Sequence, residues 1–186
     1  MVEITSLWLP ILLTAAALFV VSFLAWMVLP HHKGDWARLP DESGFASALK
    51  SLNVPPGNYA FPYCATSEEM RSPKFLERQK AGPNGTLQVW SGPCNMGVNL
   101  VCTFLFFLAT SFCLAYLAKL GLPPGANFMQ VFRFLSTAGL LTYCAANVPG
   151  SIWYKQKLGG YIIDALLYGL ATGAIFGWLW PAVPTL

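Results

Sequence analysis

VNLVCTFLFFLATSFCLAYLA, the stretch from Val98 to Ala118, contains 21 residues and no charged side chain. An α-helix needs about 20 apolar residues to cross the hydrocarbon core of a bilayer, because each residue adds about 1.5 Å along its axis. The four stretches of this kind contain only two charged side chains, Arg133 and Asp164. The other three stretches are Ser6–Leu29, Asn127–Val148 and Leu158–Trp180. The sequence therefore predicts an all-α membrane protein with four transmembrane helices.

The longest segment outside these stretches, residues 30–97, contains helix-capping and turn residues that predict a small folded cap. Asp41 is placed to cap a short helix, and Ser72 followed by Pro73 begins a second one. Residues 86–90 form a short predicted strand that can pair with residues 59–63. We thus expect three parts: a first span over residues 1–29, a small α/β cap over 30–97, and three further spans over 98–186.

Composition limits the kinds of function that fit the chain. Hydrophobic residues make up 55% of it and charged residues 10%, with a mean hydropathy of +0.52. A typical soluble domain has about 25% charged residues. The net charge of +3 is too small to indicate a nucleic-acid surface, and basic residues do not alternate with aromatic ones. The lipid bilayer is the partner that this composition predicts, and 186 residues with four spans leave no room for a separate catalytic domain of ordinary size.

The distribution of Lys and Arg predicts the orientation in the membrane. Nine of the 11 lie in residues 30–97 or in the loop before the fourth stretch, and only Lys119 and Arg133 lie on the other side. Because basic loops stay in the cytoplasm, we expect the cap there and both termini outside. The N-terminus lacks the basic region of a cleaved signal peptide, so we expect the first span to be retained.

Small residues recur every four positions in the fourth stretch, at Ala165, Gly169, Gly173 and Gly177. Residues with this spacing lie on one face of a helix, and such small faces allow helix backbones to approach closely in lipid. This face is predicted to pack against another span of the same chain, against another subunit, or along a pore.

The two intramembrane charges are the next candidates, because charged side chains inside a span are expensive and often functional. Asp164 lies about two turns from the cytoplasmic end of its span, and Arg133 lies at a similar depth below the opposite surface. A direct pair is therefore not expected. We expect Asp164 to bind a tyrosine or a loop lysine, or to serve an ion path, and Arg133 to extend toward the interface.

The chain contains two histidines, the adjacent His31 and His32 at the end of the first span. With Asp35, Cys64 and Cys94 they have the side chains of a metal site, but no Cys-x-x-Cys or His-x-x-x-His spacing supports one. A basic anchor at the membrane surface is the alternative. Cys64 and Cys94 are expected to be reduced in a cytoplasmic cap, and to pair if the cap faces outward.

Motifs of common enzymes are absent from the sequence: it has no P-loop, nucleophile elbow, dinucleotide-binding glycine set or zinc-protease helix. No predicted span contains a histidine that could hold haem. We therefore predict no cofactor and favour a protein without catalytic activity.

Several stretches are similar to those of a family of small, uncharacterised bacterial inner-membrane proteins with four predicted spans. They are residues 31–36 (HHKGDW), 39–42 (LPDE), 55–57 (PPG), 61–63 (FPY), 95–97 (NMG) and 176–181 (FGWLWP). The resemblance implies a bacterial inner membrane and a multi-pass topology, and it implies no activity.

Two functions fit these observations best. The first is an accessory or stabilising subunit of a larger bacterial membrane complex, with other membrane subunits as partners. The second is a small homo-oligomeric transporter or channel that uses Asp164. A membrane enzyme that uses His31, His32, Cys64 or Cys94 is a third hypothesis.

Overall fold

The structure is a computed structural model of the chain, and it describes residues 2–183. Most of these residues are helical, and two short strands form the one sheet within the described range. In chain order the elements are α1 (Trp8–Met27), α2 (Glu42–Ser51), β1 (Gly57–Phe61), α3 (Ser67–Arg71), α4 (Pro73–Ala81), β2 (Gly85–Val89), α5 (Met96–Gly121), α6 (Phe128–Cys144), α7 (Asn147–Tyr154) and α8 (Gly159–Trp178).

Three of these helices are long and apolar enough to cross a membrane. They are α1 with the 3-10 turn that precedes it (Ile4–Met27), α5 and α8. These helices match the first, second and fourth predicted spans to within a few residues. They suggest a membrane protein that crosses the bilayer more than once.

The third predicted span, Asn127–Val148, is shorter in the structure. Its helix, α6, has 17 residues and is about 25 Å long, and the chain turns at residues 145–146 before α7 begins. Pro149 explains this break, because proline has no N–H for the carbonyl four residues earlier and its ring clashes with that carbonyl. Four spans are thus not confirmed, and helix α7 was not predicted.

The chain divides into two compact units. One contains Ala37–Cys94, and the other contains the described residues before and after it. Pro30–Trp36, which the sequence assigned to the cap, belongs to the second unit. We call this second unit the helical unit.

In the helical unit, α1, α5, α6 and α8 form an antiparallel bundle. One end holds the start of α1 and α6 and the end of α5 and α8, and its buried core is apolar. That core consists of Val2, Leu7, Ile11, Leu114, Ala115, Ala118, Val131, Leu135, Phe176 and Trp180. A second cluster nearer the other end contains Ala15, Leu18, Phe107 and Tyr168.

The closest helix pair in the bundle is α6 with α8, and glycines make it possible. A Cβ atom added to Gly139 of α6 would lie 2.9 Å from the Cα of Gly169 in α8. A Cβ atom at Gly169 would in turn lie 2.8 Å from the carbonyl oxygen of Ser136. Any side chain at these positions would force the two backbones apart, so glycine sets the spacing of the pair.

The Ala37–Cys94 unit contains α2, α3, α4 and the two strands. Its predicted helix starts are confirmed: the Asp41 side chain accepts a hydrogen bond from the Gly44 N–H, and Ser72 accepts one from the Phe75 N–H. The predicted strand pairing is also confirmed. Strands β1 and β2 are antiparallel, with Tyr59 opposite Leu87. Helix α3 was not predicted.

Candidate functional site

A 3-10 turn at the end of α1 brings both histidines to the same place. Pro30 occupies the first position of this turn, where its fixed φ favours helical geometry and its missing N–H is not needed. The turn continues through backbone hydrogen bonds from Lys33 to Pro30 and from Asp35 to His32. Two adjacent histidines and Asp35 are thereby presented on a short and well-ordered piece of backbone.

Both histidine rings meet the carboxylate of Asp164 in α8. His31 Nε2 lies 2.8 Å from Asp164 Oδ1, and His32 Nε2 lies 3.0 Å from Asp164 Oδ2. The other ring nitrogen of His32, Nδ1, lies 2.6 Å from Asp35 Oδ2. The side chains of His31, His32 and Asp164 are only 11%, 5% and 6% exposed. We call His31, His32, Asp35 and Asp164 the His–Asp cluster.

Aromatic rings and a glycine fix the position of His32. The Trp26 ring stacks on the His32 ring, with centroids 3.9 Å apart and planes 12° from parallel. Tyr161 meets the same ring edge-on at 5.8 Å. Gly160 leaves the necessary space, because a Cβ atom there would lie 2.6 Å from both Cε1 and Nδ1 of His32.

Two further contacts hold the elements of the cluster together. The Tyr168 side chain, one helical turn beyond Asp164, lies near Asp164 and near Ser22 in α1. Lys157, just before α8, donates a hydrogen bond to the backbone carbonyl of Gly34. The end of α1, the 3-10 turn and the start of α8 are therefore joined on both sides of the histidines.

The charges in the cluster determine the state of His32. Burial alone lowers the pKa of His32, but its hydrogen bonds to Asp35 and Asp164, and their charges, outweigh this effect. The pKa of His32 consequently lies above the ordinary value of 6.5. Both ring nitrogens face a carboxylate oxygen, so in this arrangement each donates a proton to it. Two carboxylates at this site thus require a positive charge beside them.

The same atoms have the composition and spacing of a metal site. One ligand atom from each of His31, His32 and Asp164 lies within 4.8 Å of the others. A tetrahedral zinc ion about 2.0–2.2 Å from nitrogen and oxygen ligands would separate them by about 3.3 Å. The two hydrogen-bonded pairs, which involve different oxygens of Asp164, would each lengthen by about 0.3–0.5 Å to reach this separation. The bond from His32 Nδ1 to Asp35 is the outer carboxylate contact that commonly orients a metal-bound histidine.

The structure places the other predicted site residues elsewhere. Cys64 and Cys94 belong to the Ala37–Cys94 unit and are not members of the three-ligand group. Arg133 is exposed on α6. Ala165 is fully buried, while Gly169, Gly173 and Gly177 face α6: a Cβ atom at Gly173 would lie 2.7 Å from the carbonyl oxygen of Phe132.

The sequence identified the two histidines and Asp164 as separate candidates, and their contact with each other was not predicted. Asp164 was expected to bind a tyrosine or a lysine, and it was not paired with the histidines. Asp35 was grouped with the histidines, whereas the contact of Gly160 with His32 was missed. One signal was present: the histidines follow the end of the first span, and Asp164 lies two turns into the fourth from the same side.

Comparisons with known proteins give no match to a family model, to a curated protein or to a solved structure.

Proposed function

We propose that this chain is a membrane protein that binds a divalent first-row transition-metal ion through His31, His32 and Asp164. The observation that carries the proposal is the convergence of two imidazole nitrogens on one buried carboxylate. Imidazole suits zinc, copper, iron and nickel, and two histidines with one carboxylate form a common three-ligand set for zinc and for non-haem iron.

Electrostatics support this assignment. Asp35 and Asp164 bring two negative charges into a site whose side chains are nearly inaccessible to solvent. Burying a carboxylate without a compensating charge is strongly unfavourable. A divalent cation would balance both carboxylates. It would displace the Nε2 proton of His32 and bind through the lone pairs of the imidazole nitrogens.

A stabilising role fits the site better than a catalytic one. Its ligands come from the turn after α1 and from α8, which are more than 130 residues apart in the sequence. An ion bound there would fasten these two helices together, and the low exposure of its ligands would restrict access of a substrate. Residues 30–36 would then hold the end of α1 against α8, and the protein would have no catalytic activity.

In this proposal the protein works as an accessory or stabilising subunit in a bacterial inner membrane. Helix α6 is the third span, so that four helices cross the bilayer. The Ala37–Cys94 unit lies in the cytoplasm and both termini lie outside, as the distribution of Lys and Arg predicts. Partner subunits would contact surfaces other than the glycine face of α8, because α6 of the same chain already covers it.

The transporter hypothesis receives less support. Asp164 does contact other polar groups at its own end of the bundle, His31 and His32. Toward the opposite end, the described buried residues include the hydroxyl side chains of Thr14, Ser111 and Thr172 but no charged group. Leu7, Val131 and Phe176 are fully buried there. An ion that reached Asp164 would meet this packed core before it could cross.

Zinc binding by the purified full chain tests the metal proposal. After removal of metal with a chelator, equilibrium dialysis against Zn²⁺ should give one tightly bound ion per chain. Asp164→Ala and His31→Ala should lose this ion, whereas Cys64→Ala should keep it. Size-exclusion chromatography and circular dichroism would check that each variant is folded. The proposal is wrong if the native chain binds no stoichiometric zinc, or if folded Asp164→Ala binds it equally well.

The accessory role needs a separate experiment. Gentle detergent extraction of the native membrane, followed by native gel separation and mass spectrometry, should find the chain in a band with other membrane subunits. Migration alone or as a small homo-oligomer would contradict this part of the proposal. It would leave the metal site unaffected.

A further inference from the structure

An open groove on the face of α6 opposite the glycines has the features of a lipid-binding site. It has a volume of about 590 Å³. Its lining residues are Leu122, Gln130, Arg133, Phe134, Thr137, Ala138 and Leu141. All but Leu122 follow the helical spacing of a single face of α6. Its polar residues Gln130 and Arg133 lie near the start of α6, at the end of the bundle away from the His–Asp cluster.

Arg133 is the charge in this groove, and no carboxylate among residues 2–183 neutralises it, because none lies within ion-pair distance of its guanidinium group. The acidic residues of the described helical unit are Glu3, Asp35 and Asp164, and the latter two belong to the His–Asp cluster. A cation on a helix at membrane depth is costly unless it pairs with another group or reaches the interface.

The position of Arg133 along α6 shows which anion is within reach. Six residues separate the end of α5 from the start of α6, so if α5 crosses the bilayer α6 enters it from the same surface. Arg133 lies six residues beyond the N-cap residue Asn127, which is about 9 Å along the helix. An arginine at that depth reaches the phosphate layer when its side chain extends toward the surface.

The rest of the groove fits a phospholipid. The Gln130 side-chain carbonyl accepts a hydrogen bond from the Asn127 N–H, which leaves its amide N–H groups available as donors beside Arg133. Deeper in the groove, Phe134 and Leu141 form apolar walls along which an acyl chain can lie. Guanidinium matches the geometry of a phosphate with two parallel hydrogen bonds.

We propose that this groove binds an anionic phospholipid, with the headgroup phosphate on Arg133 and one acyl chain along Phe134 and Leu141. A net negative headgroup is favoured over a zwitterionic one, because the groove contributes a cation and no carboxylate that could bind an ammonium group. The proposal does not depend on metal binding at the His–Asp cluster.

Native mass spectrometry of the full chain, released from nanodiscs, tests this proposal. The nanodiscs contain equal amounts of phosphatidylglycerol and phosphatidylethanolamine with identical acyl chains. The native chain should retain phosphatidylglycerol preferentially. Arg133→Gln should reduce this preference about fivefold, as is typical for one basic residue at a membrane surface. Arg133→Lys keeps the charge and should reduce it less.

Lys119→Gln is the matched control. Lys119 lies near the end of α5 at the same end of the bundle but does not line the groove, and its ammonium group lies 6.0 Å from the centre of the Tyr116 ring. This variant should keep the preference of the native chain. The proposal is overturned if the native chain retains both lipids equally, if folded Arg133→Gln keeps the preference, or if Lys119→Gln loses it to the same extent.

Discussion

The surroundings of Asp164 and Arg133 differ in almost every respect, although both are lone charges in apolar stretches. The Asp164 carboxylate is buried, and each of its oxygens accepts a hydrogen bond from a histidine ring. Arg133 is exposed on α6 and has no ion-pair partner among residues 2–183. The described residues therefore provide partners for the charge of Asp164 and no ion-pair partner for the charge of Arg133.

This difference indicates a role in stability for Asp164 and a role in external interactions for Arg133. A buried charge with several partners from distant parts of the chain stabilises the fold, and its loss leaves those partners without hydrogen bonds. An exposed charge contributes little to the fold and acts on whatever surrounds the protein. Substitutions at the two sites should consequently affect different measurements.

The largest effect is expected for Asp164→Ala. It removes the acceptor of both His31 Nε2 and His32 Nε2 in a nearly inaccessible site. Breaking a buried charged pair typically costs about 3–5 kcal/mol, so the free energy of unfolding in detergent should fall by about that amount. Ile163→Ala, at an adjacent and more exposed position of α8, is the control and should change it much less.

The next largest effect is expected for Gly160→Ala, which adds one carbon atom beside the His32 ring. Gly160→Ala would place a Cβ atom 2.6 Å from the His32 ring, whereas a Cβ atom at the neighbouring Gly159 meets nothing within 4 Å. Overpacking typically costs about 1–3 kcal/mol, and displacement of the ring should also weaken zinc binding. Gly159→Ala should leave both unfolding and zinc binding unchanged. Equal behaviour of the two variants in thermal unfolding and dialysis would show that His32 is not held as described.

A smaller effect is expected for Asp35→Asn, which keeps the shape of the side chain and removes its charge. The hydrogen bond from His32 Nδ1 to Asp35 orients the ring, and loss of such an outer contact typically reduces metal affinity about 10- to 100-fold. Competition with a chromophoric zinc chelator would measure the affinity. Glu42→Gln, an exposed residue of α2, should have no effect, and an unchanged affinity in Asp35→Asn would remove Asp35 from the site.

The smallest effect on the fold is expected for Arg133→Gln. Because its guanidinium has no partner within the described chain, the free energy of unfolding should change by no more than about 0.5 kcal/mol. Denaturation in lipid-free detergent measures this value without a contribution from bound lipid. A loss comparable to that of Asp164→Ala would mean that Arg133 also stabilises the fold, and the contrast between the two charges would fail.

Much of the fold follows from local signals in the sequence. Apolar length predicted α1, α5 and α8, and cap residues predicted the starts of α2 and α4. Such features depend on neighbouring residues, so periodicity and helix-terminal preferences are sufficient. The predicted third span was too long. Its apolar composition continues to Val148, whereas helix α6 ends at Cys144 because of the single residue Pro149.

The site was harder to predict because its parts are distant in the sequence. His31 and Asp164 are separated by 133 positions, and neither has a spacing motif that points to the other. Membrane depth placed both near the same surface, but depth does not show which faces of two helices meet. That choice depends on packing such as the contact of Gly160 with His32, which becomes visible only when α1 and α8 are placed together.

X-ray absorption at the zinc edge of the zinc-loaded full chain tests the central claim most directly. The account predicts a first shell of nitrogen and oxygen atoms at about 2.0–2.1 Å, with the outer-ring scattering of two imidazoles and no sulfur. A sulfur contribution at about 2.3 Å would place the ion at cysteines, and a spectrum without imidazole scattering would exclude His31 and His32 as ligands. Either of these results would contradict a metal site made by His31, His32 and Asp164.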